Sequence, residues 1–328
     1  MTPLLDIKDL ATVFDTERGR IRAVDGVSLN VAAGETLGIV GESGCGKTML
    51  SLSVMRLLPA NGRIISGEIL FDGTDLLKLS EEEMRARRGA DLAMVFQEPM
   101  TSLNPVFRVG DQIAEAIRLH RNVSTKQAWD MSVELLREVG ISDPQKRARD
   151  YPHNLSGGMR QRVMIAMAVS CRPRLLLADE PTTALDVTIQ AQILELMEEL
   201  KRKNKMTVIL ITHDLGVVAQ SAQKVAVMYA GKIVESASVE NLFDRPLHPY
   251  TQGLLESIPA ACAQGPDPKR RLKTIPGSVP DLYHIPPGCR FSDRCAYGFE
   301  RCLREEPALT EILPGHQAAC WKALEGGR

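Results

Sequence analysis

The sequence predicts an α/β fold, and three observations carry that prediction. Four short apolar runs have the length and continuous apolar character of strands buried on both faces. They are Thr36-Leu37-Gly38-Ile39-Val40, Leu92-Ala93-Met94-Val95-Phe96, Leu175-Leu176-Leu177-Ala178 and Val208-Ile209-Leu210-Ile211. Segments with apolar residues at helical spacing lie between them. The first run ends in Gly41-Glu42-Ser43-Gly44-Cys45-Gly46-Lys47-Thr48 and passes straight into a helix-compatible run, Met49 to Met55. That strand, glycine loop and helix start make a phosphate cradle. Backbone N–H groups and the positive end of the helix converge on one anion, and side chains at Gly41, Gly44 or Gly46 would keep the backbone from closing on it. Lys47 can reach β- and γ-phosphates, and the Thr48 hydroxyl can face Mg²⁺.

The totals bound the class. With 328 residues, 44% hydrophobic and 25% charged, the chain has material for one large or two modest domains. The net charge is −1, from 40 basic and 41 acidic side chains, so no global field points to nucleic acid or anionic lipid. The start, Met1-Thr2-Pro3-Leu4-Leu5-Asp6, lacks the regions of a signal peptide, and no stretch approaches the ~20 apolar residues that span a bilayer. The expectation is a cytosolic chain whose membrane association comes through partners. Seven cysteines in that setting argue against a disulfide framework.

Residues 4–40 read as short strands, with a turn at Ala33-Gly34-Glu35; Phe14 is a candidate for stacking on a base. Residues 64–79 hold a strand and an Asp72-Gly73 turn. Ser80 and Glu83 form a capping box, as do Ser124 and Gln127. Gln97 ends a strand in the same sheet as the glycine loop, where an amide can touch a bound ligand. Residues 107–171 read as helical, with a polar connector at 147–151 leading to Leu155-Ser156-Gly157-Gly158-Met159-Arg160-Gln161-Arg162. Ser-Gly-Gly at a helix start is a second anion-ready terminus, or an ordinary cap. The run after Arg174 ends in Asp179-Glu180: the first carboxylate suits Mg²⁺ through water, and the second can take a proton from attacking water. Ala184-Leu185-Asp186 opens a long amphipathic helix with Ile189, Ile193, Leu196, Met197 and Leu200 on one face. His213 follows the last strand run, and residues 225–234 read as a hairpin around Ala230-Gly231.

The phosphate loop, Gln97, Leu155-Ser156-Gly157-Gly158, Asp179-Glu180, Ala184-Leu185-Asp186 and His213 occur in one order. Over residues 4–260 this set resembles the ATP-binding subunits of ABC transporters. The resemblance implies a RecA-like P-loop core with an antiparallel β subdomain and a helical subdomain inserted at about 98–165. The ATPase domain would then be 1–258 and a C-terminal extension 259–328. It implies that residues Gly41, Glu42, Ser43, Gly44, Cys45, Gly46, Lys47 and Thr48 hold ATP, and that Asp179 helps organise Mg²⁺. Gln97 senses the γ-phosphate, Glu180 is the general base and His213 contacts the γ-phosphate. Ser156, Gly157 and Gly158, with Gln161 in the same segment, cap the nucleotide of an opposite subunit, and Asp186 crosses that dimer interface. Implied partners are two transmembrane permease subunits, a second ATP-binding subunit (a paralogue) and an external substrate-binding protein. The implied place is the cytoplasmic side of the cell membrane, peripheral, with no nucleic acid. Met100-Thr101-Ser102-Leu103-Asn104-Pro105, His248-Pro249-Tyr250-Thr251-Gln252-Gly253-Leu254-Leu255 and Ile275-Pro276-Gly277-Ser278-Val279-Pro280 resemble the oligopeptide and dipeptide importer branch. That branch also includes nickel and glutathione importers. A soluble ABC-type ATPase would carry paired cassettes or long coiled-coil insertions, and this chain has neither.

A Pro-rich stretch, 259–287, with the basic run Lys269-Arg270-Arg271, reads as a linker. Beyond it Cys289, Cys295, Cys302 and Cys320 are separated by five, six and seventeen residues. Four thiols in a short segment with little apolar mass suggest a metal staple, and four thiolates fit either Zn²⁺ or an iron–sulfur cluster. The absence of paired C-x2-C knuckles favours iron–sulfur. In the resembled importer subunits a [4Fe–4S] cluster occupies such a tail.

Overall fold

The computed structural model describes residues 2–98, 102–183, 185–258 and 274–326. Of the positions singled out above, Met100, Thr101, Ala184 and the basic run 269–271 lie outside the described residues. The strands are β1 (Leu5–Thr16), β2 (Gly19–Val31), β3 (Thr36–Val40), β4 (Gly62–Phe71), β5 (Thr74–Asp75), β6 (Leu92–Val95), β7 (Leu175–Asp179), β8 (Thr207–Thr212), β9 (Lys224–Tyr229), β10 (Lys232–Ser238), β11 (Thr310–Leu313) and β12 (His316–Ala318). The chain divides into two compact units, one made of Met1–Leu4, Val31–Thr36 and Phe71–Ile211, the other of Leu5–Asn30, Leu37–Leu70 and Thr212–Arg328.

In the first unit β6, β7 and β8 are parallel neighbours, with Val95 opposite Ala178 and Asp179 opposite Ile211. Every residue of these strands is buried, which is why their sequences are apolar without alternation. The helices Val109–His120 and Thr125–Glu138 pack on each other and on Gly157–Val169. Both predicted capping boxes are present, at Ser80 with Glu83 and at Ser124 with Gln127. The long helix Val187–Asn204 buries Ile193, Leu196, Met197 and Leu200 of the predicted stripe, while Ile189 in its first turn is only half-buried.

In the second unit β3 and β9 are parallel, Ile39 opposite Ala226. Antiparallel β10 follows through the Ala230-Gly231 turn, whose φ angles of 43° and 86° suit a tight hairpin. β1 lies between β2 and β4 in a separate sheet. The strands before the phosphate loop are long rather than short, at 12 and 13 residues. Left-handed residues at Asp9 (φ 45°) and Gly26 (φ 66°) interrupt the alternation that would have revealed their length. The C-terminal segment also departs from expectation. β12 pairs with β10, Glu235 opposite Ala318, and β11 pairs with β12, so the segment extends the sheet. Its apolar support comes from elsewhere in the chain: Phe291 is 3% exposed within a cluster that includes Val40, Val227, Tyr229 and Tyr250.

Candidate functional site

The glycine loop has the geometry its sequence predicts. Gly41, Gly44 and Gly46 take φ of 156°, 80° and 107°. A Cβ at Gly41 would lie 2.2 Å from the Met228 carbonyl oxygen, and one at Gly46 would lie 2.2 Å from that of Ala23. Glycine is therefore demanded at both by contact, and at Gly46 also by conformation. Gly46 caps the helix Lys47–Met55, whose side chains give no cap of their own, so its first N–H groups face the loop. Lys47 is folded in, 5% exposed, with Nζ donating to the carbonyls of Gly41 (2.7 Å) and Glu42 (3.0 Å). The same ammonium lies 3.7 Å from Cys45 Sγ; burial still pushes the Cys45 thiol up against that charge.

The loop is held from behind by residues far along the chain. Tyr250 Oη accepts from the N–H of Glu42 at 2.8 Å. Arg294 donates twice to the Glu42 carboxylate, at 2.6 and 2.9 Å, and this hydrogen bonding holds its guanidinium above the ordinary arginine range. Burial pushes the Tyr250 phenol well up, so it stays neutral.

At the end of β7, Asp179 is buried at 1% exposure and Glu180 turns back with φ 45°, a left-handed conformation that costs a non-glycine residue about 1–3 kcal/mol. Glu180 Oε2 accepts from Gln97 Nε2 at 3.1 Å and from Thr183 Oγ1 at 2.8 Å. The structure thus brings together Gln97 and Glu180, two residues that the sequence separates by 83 positions. Ser156 caps the helix Gly157–Val169 by accepting from Met159 N, and Asp186 caps Val187–Asn204 by accepting from Ile189 N. Ser156, Gly157 and Asp186 are exposed, while Gln161 is 2% exposed with its Nε2 unpaired. His213 is exposed after β8. Phe14 is 7% exposed, and its ring lies 2.5 Å from where a Cβ on Gly62 would stand, a packed core position.

Residues 24–183 match the family model for "ABC transporter", and residues 234–302 match that for "Oligopeptide/dipeptide transporter, C-terminal region". A probable peptide ABC transporter ATP-binding protein of Sinorhizobium fredii is 54% identical over 327 residues, covering 98% of this chain and 96% of the relative. The chain belongs to the ABC transporter ATP-binding family. The dipeptide transport ATP-binding protein DppD of Escherichia coli is 50% identical over 322 residues, covering 98% of this chain and 97% of that one. Among solved structures, the ATP-binding cassette MJ0796 in a dimeric post-hydrolysis state bound to ADP and Pi matches with TM-score 0.65 and 25% identity, over 72% of this chain and 98% of its own. The ABC-type cassette fold, with its mixed sheets, is therefore established, and the family hydrolyses ATP with Mg²⁺.

The C-terminal segment of this ABC chain does not support the expected metal staple. Cys289, Cys295, Cys302 and Cys320 are all free thiols. Among the described residues no three His, Cys, Asp or Glu side chains are gathered so that they could hold a metal ion. Burial pushes the Cys289 thiol up to about 11, with the other three cysteines adding to it, and burial raises Cys295 and Cys320 too. Contacts with the rest of the chain hold the segment. Phe291 packs against Tyr229, Tyr250 and His248 with ring centroids 5.3, 5.4 and 5.7 Å apart. Arg290 donates to Ala230 O at 2.5 Å and pairs with Asp25 and Glu306. Glu235, fully buried, accepts from the backbone of Leu247 (2.7 Å) and His248 (2.9 Å) and from His316 Nε2 (2.7 Å). Burial lowers His248 to about 4, with Glu235 opposing, so its Nδ1 is free to accept from Tyr250 N at 3.0 Å. Sequence reasoning missed Arg290, Arg294, Glu235 and His316. The one signal was the arginines among the tail cysteines, Arg290 and Arg294 between the first two, and a charge there reads first as solvated surface.

Proposed function

We propose that this chain is the ATP-hydrolysing subunit of an importer for di- or oligopeptides. The observation that carries it is the phosphate loop: glycines demanded by contact at positions 41 and 46, ahead of an uncapped helix start. The names of relatives 50–54% identical over 98% of the chain supply the peptide-transport assignment, and the C-terminal family match agrees with it. Lys47 leaves the carbonyls of Gly41 and Glu42 for the β- and γ-phosphates when ATP enters. Thr48 and Asp179 are oxygen donors of the kind Mg²⁺ prefers, and the ion would neutralise phosphate charge. Glu180 takes the proton of the attacking water, Gln97 and His213 act at the γ-phosphate, and Thr183 holds the Glu180 carboxylate in place.

Ser156, Gly157, Gly158, Gln161 and Asp186 act on the nucleotide of a second ATP-binding subunit. The matching cassette MJ0796 has been solved as a dimer, which agrees with that arrangement. Two permease subunits and an external binding protein complete the importer, with this chain on the cytoplasmic face; among the described residues no helix is long and apolar enough to cross a membrane. Residues 1–258 would form the ATPase domain, 98–165 its helical subdomain and 259–328 the extension. An iron–sulfur role for the four tail cysteines rests on residue type, spacing and the resemblance to importer subunits. Iron and zinc content of anaerobically purified protein tests it, and the ATPase reading is independent of the outcome.

The decisive experiment is Glu180→Gln. It keeps the hydrogen bonds at this position and removes the base, so phosphate release should fall by at least about 100-fold while ATP binding persists. Turnover at the native rate would remove Glu180 from the role.

A further inference from the structure

Glu42 is the anomalous residue of the phosphate loop. A carboxylate there repels a polyphosphate, and the loop's backbone conformation does not call for one. Yet its backbone and its side chain are all engaged. Its N–H donates to Tyr250 Oη, its carbonyl accepts from Lys47, and its carboxylate is gripped by both terminal nitrogens of Arg294. Planar two-point pairing of this kind is geometrically exacting and is lost on replacement by lysine.

Arg294 is itself immobilised. Its side chain is 5% exposed, against 31% for Glu42. Its Nε donates to Pro276 O at 2.8 Å, and its guanidinium lies 5.8 Å from the Tyr229 ring centroid and 5.9 Å from that of Phe291. Four residues earlier Arg290 donates to Ala230 O, and the residue after Ala230, Gly231, donates to Cys45 O at 2.9 Å. The C-terminal segment therefore holds the loop directly at Glu42 and at one remove at Cys45.

We propose that Arg294 is a positioning residue for nucleotide binding. It cancels the Glu42 charge and holds the phosphate loop in the conformation that receives the triphosphate, so ATP affinity depends on the docked C-terminal segment. The proposal rests on the reading of Gly41 to Thr48 as the phosphate loop. Removing Arg294 leaves an unpaired carboxylate in that loop, whereas removing both charges leaves none. A merely structural Arg294 makes a different forecast: the double variant would be no better than the single one.

The test is titration of the full-length chain with a non-hydrolysable ATP analogue and Mg²⁺, alongside thermal unfolding. Arg294→Met keeps the aliphatic stem and should weaken binding about tenfold, equivalent to about 1.4 kcal/mol. Arg294→Lys keeps the charge without the two-point grip and should weaken it about threefold. Glu42→Gln combined with Arg294→Met should recover to within about threefold of the native chain. Native affinity in Arg294→Met, or a double variant no tighter than the single one, overturns the proposal. Should Arg294→Met not fold, Arg294→Lys takes its place, and unchanged affinity there overturns the proposal equally. Lys47→Ala separates the two readings. If it loses the analogue while Arg294→Met does not, only the positioning role falls; if the native chain fails to bind, the phosphate-loop reading falls and takes the proposal with it.

Discussion

Gly46→Ala and Gly44→Ala differ in one respect that the structure makes measurable. Both glycines have left-handed φ, 107° and 80°, so alanine is strained at either, by about 1–2 kcal/mol. At Gly44 an added Cβ meets nothing within 4 Å. At Gly46 it would stand 2.2 Å from the Ala23 carbonyl oxygen and 2.7 Å from Met228 Cε. The methionine can move, but the Ala23 oxygen is a backbone atom within β2 and cannot yield without disturbing the sheet. Overpacking of this kind adds about 1–3 kcal/mol, so Gly46→Ala should be the less stable variant by about 2 kcal/mol. Because Gly46 also starts the helix that carries Lys47, the shift displaces that lysine and the helix N–H groups. Gly46→Ala should therefore lose the ATP analogue, while Gly44→Ala retains it with reduced affinity. Urea unfolding and analogue titration, run on both variants, read the two effects. Equal stability would show that the loop gives way to a methyl group at 46, and that contact with Ala23 is not what demands glycine.

Two further predictions concern the C-terminal segment. His248 is lowered from 6.5 to about 4, so between those values the unfolded chain binds more protons than the folded one, and stability is complete above pH 6.5 and lost as pH falls toward 4, by about 3 kcal/mol in all. His248→Asn keeps an acceptor for the Tyr250 N–H and should flatten this dependence in urea unfolding at pH 7 and pH 5; an unaltered slope would assign it to another group. Phe291→Ala removes a ring that is 3% exposed and touches Tyr229, Tyr250 and His248, and should cost about 3–5 kcal/mol, with hydrogen-exchange protection lost first across residues 289–320. Unchanged protection there would mean that the aromatic cluster does not anchor the segment.

The sequence by itself determined the elements whose chemistry is local. A glycine loop between an apolar strand and a helix, two capping boxes, an Ala-Gly hairpin turn and carboxylates at a strand end are written in neighbouring residues, and each appears in the structure where the chain places it. Tertiary structure decided what distant residues do to one another. Gln97 meets Glu180 across 83 positions, and Arg294 meets Glu42 across 252, and neither pair leaves a periodic or compositional trace. The C-terminal segment shows the reason most clearly. Its sequence has four cysteines and little apolar mass, which reads as a need for a metal. In the fold its apolar partners are Tyr229 and Tyr250, and the charges of Arg290 and Arg294 are met by Asp25 and Glu42. Burial energy and ion pairing belong to pairs of groups, so a segment's stability cannot be judged from its own residues when half of each interaction is supplied from elsewhere in the chain.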